Sequence, residues 1–565
     1  MAEAARPLTL VVLWHMHQPE YRDYASGEFR QPWVYLHAMK DYSDMAWHLE
    51  SHPRIRAVVN LTPVLLDQLE DYAEQFASGK LRDPLLRLLA RPDGEPLAEA
   101  EREFVLEHCF GGDGNGPVQP FAAAYKHLYE LYALLKSRGA DSLHYLSDQY
   151  FFDLITWYHL RWTGEAARRA SPAVARLMAI GTRFTQADRM ELFRLAAELV
   201  SGILPRYAKL AAAGQIEIST TPHHHPMAPL LMSFSAAREP NGKTVLPQST
   251  QYPGGYGRAR AQLQSALESH RKRFGAPPAG LWPAEGALSA DFAELLAEQG
   301  SGWTASGGRV LAHSLGAAWT AEAAYRPYLW KAGAKEIALF FRDDRLSDLI
   351  GFEYGKWNSH DAAANLIAEL ETITRNGGDQ APLVTIALDG ENCWDSYAYN
   401  GYYFLAALYQ ALEEHAAIRT STFAAVLADP ANRPARLERL VAGSWVNGDF
   451  STWIGSPEKN HAWDLICSAK QNFDLVVASG RLSPEACGAA LRQLAVCEAS
   501  DWFWWPGPQN PRATVEAFDE LYRDNLSRLY RLLDLPVPSV LAQPISHGSG
   551  HPEAGGTMRR TQVAT

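Results

Sequence analysis

The sequence predicts an α/β protein of parallel βα units, forming a barrel or an open sheet, followed by an all-α helical domain. Two observations carry this prediction. Short runs rich in Val, Ile and Leu alternate with longer amphipathic stretches up to about residue 400, and beyond that point only helical patterns continue. At 565 residues the chain is long enough for two or three domains around a large core.

The strands are expected at "LTLVVLW" (8–14), "IRAVVNL" (55–61), "QIEIST" (215–220), "AGLWP" (279–283), "EIALFF" (336–341) and "LVTIAL" (383–388). Between them, "PFAAAYKHLYELYALLKSRG" (120–139) and "RARAQLQSALESHRKRFG" (258–275) read as helices, the second stopping on Gly275 before Pro277 and Pro278. "YFLAALYQALEEHAA" (403–417), "SPEACGAALRQLAVCEAS" (483–500) and "TVEAFDELYRDNLSRLYRLLD" (514–534) continue as amphipathic helices. The expected organisation is a barrel of βα units over 1–400, a helical domain over 401–545 packed on it, and a Gly-rich, polar, disordered tail over 546–565.

A net charge of -12 excludes a nucleic-acid partner, because a polyanion needs clustered Lys and Arg. No polybasic run holds the chain to a membrane, and no apolar stretch reaches the length of a spanning helix. The apolar run after Arg6 is too short for a secretory signal and reads as a buried strand. The 5 cysteines are scattered, with no Cys-x-x-Cys spacing, which disfavours a disulfide framework or a zinc site and fits a reducing cytoplasm. Trp is frequent, with 17 copies, and its flat face suits both a core and the C–H face of a sugar ring.

Polar residues gather where strands end. The first strand runs into His15, His17, Gln18 and Glu20. Asp389 follows the strand at 383–388, and Glu391 shares its direction if the strand continues. Glu285 follows a short strand beside Trp282, and Glu217 lies within a strand that leads into "TPHHHP" (221–226). Any one of these is more often a helix cap or a solvated loop residue, but four such segments point to a pocket at the strand ends. Paired carboxylates with flat aromatics point to glycoside hydrolysis. His15 and His17 with His223, His224 and His225 are a competing zinc set, which points instead to a metal-dependent carbohydrate deacetylase. Neutral histidines in a pocket equally donate to sugar hydroxyls.

The blocks "HMHQPE", "GQIEIST" with "TPHHHPM", "GLWPAEGALS", "ALDGENCWDSY" and "GSWVNGDFSTWIGSPEKNHAWDL" (443–465), in that order, resemble glycoside hydrolase family 57 in its α-amylase and amylopullulanase form. "PWVYLHAMKDYSDMA", "VNLTPVLLDQL", "FRDDRLSDLIGFEY" and "SDWFWWPG" extend the resemblance to about residue 545. The resemblance implies an incomplete (β/α)7 barrel followed by a helical domain. It implies a covalent glucosyl intermediate on Glu285 with retention, Asp389 as acid/base with Glu391 as its competitor, and no catalytic metal or cofactor. It places His15 and His17 on the sugar at the scissile bond, Trp282 in the wall, and Glu217 on a hydroxyl or a neighbour. His225, Trp394, Trp445, Asp449 and Trp453 complete the expected substrate-binding set. "DWFWW" (501–505) reads as packing, and Cys393 as an inert thiol. The bulky aromatic pair of branching enzymes is missing from the fourth block, and His223, His224 and Pro506 depart from the pattern. The implied activity is cleavage of α-1,4 bonds, with α-1,6 bonds a second target, in maltooligosaccharide, glycogen, starch or pullulan. A 4-α-glucanotransferase uses the same double displacement and is the near alternative. A non-catalytic glycogen-binding role is disfavoured by Glu285 and Asp389.

Overall fold

The computed structural model describes residues 7–110, 123–376, 381–551 and 553–560. Its strands are β1 (Leu8–Met16), β2 (Ala57–Leu61), β3 (Ile216–Ser219), β4 (Gly280–Leu281), β5 (Trp303–Gly307), β6 (Tyr328–Ala332), β7 (Lys335–Arg342), β8 (Leu383–Asp389), β9 (Ile418–Ser421) and β10 (Ala435–Leu437). One sheet runs β3-β2-β1-β8 and the other β10-β6-β7-β5-β4. A parallel bridge from Thr220 to Leu281 joins them, so β8-β1-β2-β3-β4-β5-β7 form a curved set of parallel strands. Among the described residues no ladder joins β7 and β8. Instead the Asp343 N–H donates to the Thr385 carbonyl at 2.7 Å and Arg342 Nη1 to the Ala387 carbonyl at 3.0 Å. The result is an incomplete (β/α)7 barrel with a helical C-terminal region.

Parallel strands are covered on both faces, so they read as unbroken apolar runs. β1 and β8 do so, and every residue in both is buried. Register then decides which polar residues meet. His15 lies opposite Asp389 on one side and Asn60 on the other, and Asn60 lies opposite Ser219. A polar row thus crosses the C-terminal ends of β8, β1, β2 and β3, the end of a parallel barrel where reactive groups collect.

Two expectations are corrected. The barrel does not stop at residue 400, because β9 pairs with the first half of β1 and β10 pairs with β6. β9 is "IRTS", four residues of mixed polarity, and carries no readable period. β5, "WTASG", was not anticipated for the same reason, although all five of its residues are buried. The described part of the tail is ordered. Ser546 and Met558 are buried, and the Ser549 and Gly550 N–H groups both donate to the Asn510 carbonyl. Its glycines serve close approach: a Cβ on Gly550 would stand 2.5 Å from the Gln509 carbonyl carbon. Tail residues 552 and 561–565, and residues 120–122 of the expected helix at 120–139, lie outside the described residues.

The remaining helices form as their periods predict, with small shifts at the ends. The helix Gly255–Phe274 stops on Gly275, whose φ of 81° is the left-handed cap that glycine permits. The helical region is built from Pro457–Ala478, Pro484–Cys497, Asp501–Trp504 and Arg512–Leu532. Buried Lys459 donates to the carbonyls of Phe503 (2.7 Å) and Trp504 (3.1 Å), satisfying the end of the short helix that faces the barrel. Among the described residues no helix is long and apolar enough to cross a membrane.

Candidate active site

A cavity of about 370 Å³ opens at the C-terminal ends of the barrel strands and is lined on its other side by the helical region. Glu285 enters it from the turn after β4. Its φ of 58° is left-handed, as is that of Gly286. A non-glycine residue held there costs about 1–2 kcal/mol, and such strain collects at functional sites. Two contacts hold the turn. The Trp445 N–H donates to the Glu285 carbonyl at 3.0 Å, and Gly286 packs closely enough that a Cβ there would stand 3.1 Å from Trp282 and 3.2 Å from Trp445, displacing them by a few tenths of an ångström.

Each Glu285 carboxyl oxygen has its own neighbour. Trp445 Nε1 donates to Oε2 at 3.1 Å, and Ser500 Oγ lies 3.2 Å from Oε1. Asp389 is the last residue of β8, and Asn392 Nδ2 donates to its Oδ2 at 3.0 Å. Burial, followed by the charges of Asp389 and Asp501, pushes the Glu285 carboxyl up to about 8. Burial pushes Asp389 up to about 6, with Asn392, His17 and Arg342 pulling it back. Glu391 also faces the cavity and is raised by burial and by Asp389. Its Oε1 is engaged by the His17 N–H (3.0 Å) and the Tyr42 hydroxyl (3.1 Å), so it ties down the loop after β1.

The hydrogens of this site can be counted. Asn60 Oδ1 is an amide oxygen and only accepts, so His15 Nδ1, 2.6 Å away, carries a hydrogen. Burial pushes His15 down to about 3 and His225 well below the usual imidazole range, so both rings are neutral. His15 Nε2 then accepts from His225 Nε2 at 3.0 Å, and His225 Nδ1 accepts from Ser500 Oγ at 2.8 Å. Ser500 has one hydroxyl hydrogen, and it is taken. The Ser500–Glu285 contact therefore completes the chain when Glu285 carries the proton and donates it. This count agrees with the direction of the Glu285 shift.

The structure brings Glu285, Asp389, Glu391, His15, His17, His225 and Trp445 to one cavity. Five residues expected to touch substrate stand elsewhere. Glu217 accepts from Trp303 Nε1 (2.6 Å) and the Ala424 N–H (2.9 Å), inside the barrel. Trp282 is fully buried behind Trp445, ring centroids 5.3 Å apart. Trp394 packs on Trp14, and Trp453 is buried against Trp504. Asp449 caps its own turn, accepting from the Ser451 N–H and hydroxyl. Conversely, "DWFWW" is more than packing, because Asp501, Trp504 and Trp505 line the cavity. Ser500, Asn60, Arg342 and the tail were also not anticipated. Asn60 was within reach of the sequence, being a lone polar residue in a buried strand.

The five-histidine set does not form. His223 turns away to Asp67 and Ser265, and the His224 N–H donates to Gln262. His17, His225 and Asp501 do offer ligand atoms within 4.8 Å of one another. Each is already engaged: His17 Nε2 with Asp501 at 3.0 Å, and both nitrogens of His225 as described above.

The model of glycosyl hydrolase family 57 matches residues 11–437. No curated protein matches the chain by sequence. Among solved structures, a branching enzyme from Thermococcus kodakaraensis superposes with a TM-score of 0.57 at 17% identity, over 99% of this chain and 100% of that one. An α-amylase from Thermotoga maritima superposes with a TM-score of 0.56 at 14% identity, over 94% and 93%. A 4-α-glucanotransferase from Thermococcus litoralis gives 0.51 at 15% identity, over 93% of this chain and 60% of that one.

Proposed function

The chain belongs to glycosyl hydrolase family 57, and from that premise we propose that it cleaves α-1,4-glucosidic bonds by a retaining double displacement, with Glu285 as nucleophile and Asp389 as acid/base. The observation that carries this reading is the meeting of the two carboxyls, from the ends of β4 and β8, in one buried cavity walled by Trp445, Trp504 and Trp505. Glu285 attacks the anomeric carbon, and Asp389 protonates the leaving oxygen and then deprotonates water.

Attack needs charge on Glu285 and a proton on Asp389. The protein alone leans the other way, with Glu285 at about 8 and Asp389 at about 6. A bound glucoside reverses the balance. Positive charge growing at the anomeric carbon favours the Glu285 anion, and the glycosidic oxygen accepts from Asp389. Trp445 Nε1 is already placed to receive that anion on Oε2. His15, His17 and His225 line the same cavity, and the neutral rings of His15 and His225, engaged with Asn60, with each other and with Ser500, hold Ser500 beside Glu285. Substrates in this reading are maltooligosaccharides, glycogen or starch, with α-1,6 bonds of pullulan a second target. The free cysteines support work in a reducing compartment such as the cytoplasm.

Incubation of the pure protein with maltoheptaose tests the reading. Reducing ends that accumulate support hydrolysis, whereas redistribution of chain lengths at constant reducing ends supports the 4-α-glucanotransferase alternative. Loss of both products in Glu285→Gln, with the wild type unaffected by a chelator, supports the two-carboxylate mechanism over a metal-dependent deacetylase.

A further inference from the structure

We propose that residues 555–559 of the tail form a wall of the active site, with Arg559 and Met558 as specificity-determining residues that restrict the cavity to short α-glucan chains. The proposal rests on the α-glucan reading above. Gly555, Thr557, Met558 and Arg559 line the same cavity as Glu285 and Asp389.

The segment is anchored on both sides of that cavity. On the helical side, Trp504 Nε1 donates to the Gly556 carbonyl at 2.7 Å. The Arg559 guanidinium lies 4.9 Å over the Trp504 ring and donates to Asn510 Oδ1 at 3.3 Å. On the barrel side, Met558 Sδ lies 3.8 Å from the thiol of Cys393, four residues beyond Asp389. Arg560 pairs with Glu353 and covers Phe352. The segment therefore crosses from the helical region to the loops after β7 and β8. Gly556 allows the crossing: its φ is 86°, and a Cβ there would stand 3.1 Å from Trp505 and 3.3 Å from Asn510 Oδ1.

What the segment places in the cavity has a chemical consequence. Arg559 carries N–H donors suited to sugar hydroxyls; burial pulls its guanidinium down to about 10, and the neighbouring Glu285 charge offsets part of that. Met558 is an adaptable apolar filler, buried at 8% exposure. With this wall in place the cavity measures about 370 Å³. That is the low end of sites for small ligands, about 300–1,000 Å³, and suits a few sugar rings better than a long chain passing through.

The test uses the full-length chain and compares kcat/KM on maltotriose with that on amylose, for the wild type, Met558→Ala/Arg559→Ala and Arg559→Lys. The expected result is a rise of about tenfold in the amylose-to-maltotriose ratio for the double variant, the scale of one changed pocket contact. The lysine variant, which keeps charge but loses the planar fork, shifts less. Melting temperatures show whether each variant is folded, and Arg559→Lys carries the test if the double variant is not. An unchanged ratio in a folded variant overturns the wall. Failure of the wild type to turn over any α-glucan overturns the underlying reading, and the wall with it.

Discussion

Trp445 holds Glu285 twice, through a backbone N–H to its carbonyl at 3.0 Å and through the indole N–H to Oε2 at 3.1 Å. The first contact fixes the left-handed turn and the second meets the charge that the turn presents. Because 160 residues separate the partners, the Glu285 carboxyl is set by tertiary packing and not by its own loop.

Trp445→Phe keeps the ring and the backbone contact but removes the indole donor. A hydrogen bond to a charged group contributes about 1.5–3 kcal/mol, so kcat/KM on maltoheptaose is expected to fall by about 10–100-fold. The indole favours the ionised form of Glu285, so its loss also raises that carboxyl further. The alkaline limb of the pH profile therefore moves to higher pH while the plateau drops. A plateau that drops with no movement of the limb marks a packing role only.

The wild-type profile itself should be a bell. The productive pair holds one proton. Below about 6 both carboxyls are protonated and the nucleophile is neutral; above about 8 both are ionised and the acid is gone. These limbs belong to the pair as a unit. Initial rates of reducing-end release on maltoheptaose from pH 4.5 to 9.5 check this, and a rate that is still rising at pH 9.5 contradicts it.

Asp501 tests the same electrostatics with the opposite sign. Its charge raises Glu285, and its carboxylate pairs with His17 at 3.0 Å. Asp501→Asn keeps the shape and removes the charge, so Glu285 falls and the alkaline limb moves to lower pH. Measured beside Trp445→Phe, the two limbs must move apart; movement in one direction contradicts the placement of both groups.

The limits of sequence reading follow from the same contacts. β1 and β8 were legible because strands buried on both faces leave unbroken apolar runs, and the polar residues that end those runs, His15 and Asp389, fall opposite each other in register. β9 left no such trace, which is why the barrel was ended too early. Trp282, Trp394 and Trp453 were assigned to substrate because an indole looks alike in a core and in a sugar site; all three are buried. Ser500 and Asp501 were missed because a short helix aims at the barrel only through long-range contacts, such as those Lys459 makes to the helix that follows them. The tail glycines suggested disorder, yet they are where its backbone lies against Gln509 and Trp505.

The last prediction separates activity from stability. A carboxyl whose folded value lies above its unfolded one stabilises the fold while protonated. That contribution is complete below the ordinary carboxyl range and is lost as pH rises through the folded value. For Glu285 the loss runs from its ordinary value of 4.5 to about 8, and for Asp389 from 3.8 to about 6. Glu285→Gln removes the buried charge while its amide keeps an acceptor for Trp445. Its melting temperature should match the wild type at pH 4.5 and exceed it by a margin that grows up to about pH 8. Asp389→Asn should show the same pattern with a smaller margin, reached by about pH 6. Activity moves the other way, with kcat falling by roughly 10⁴-fold or more for Glu285→Gln and by about 10²–10⁴-fold for Asp389→Asn. Calorimetric melting of the three proteins across this range reads the margin directly. A Glu285→Gln protein less stable than the wild type at pH 8 shows that the carboxyl is ionised and well paired in the fold, and removes the basis for its raised value.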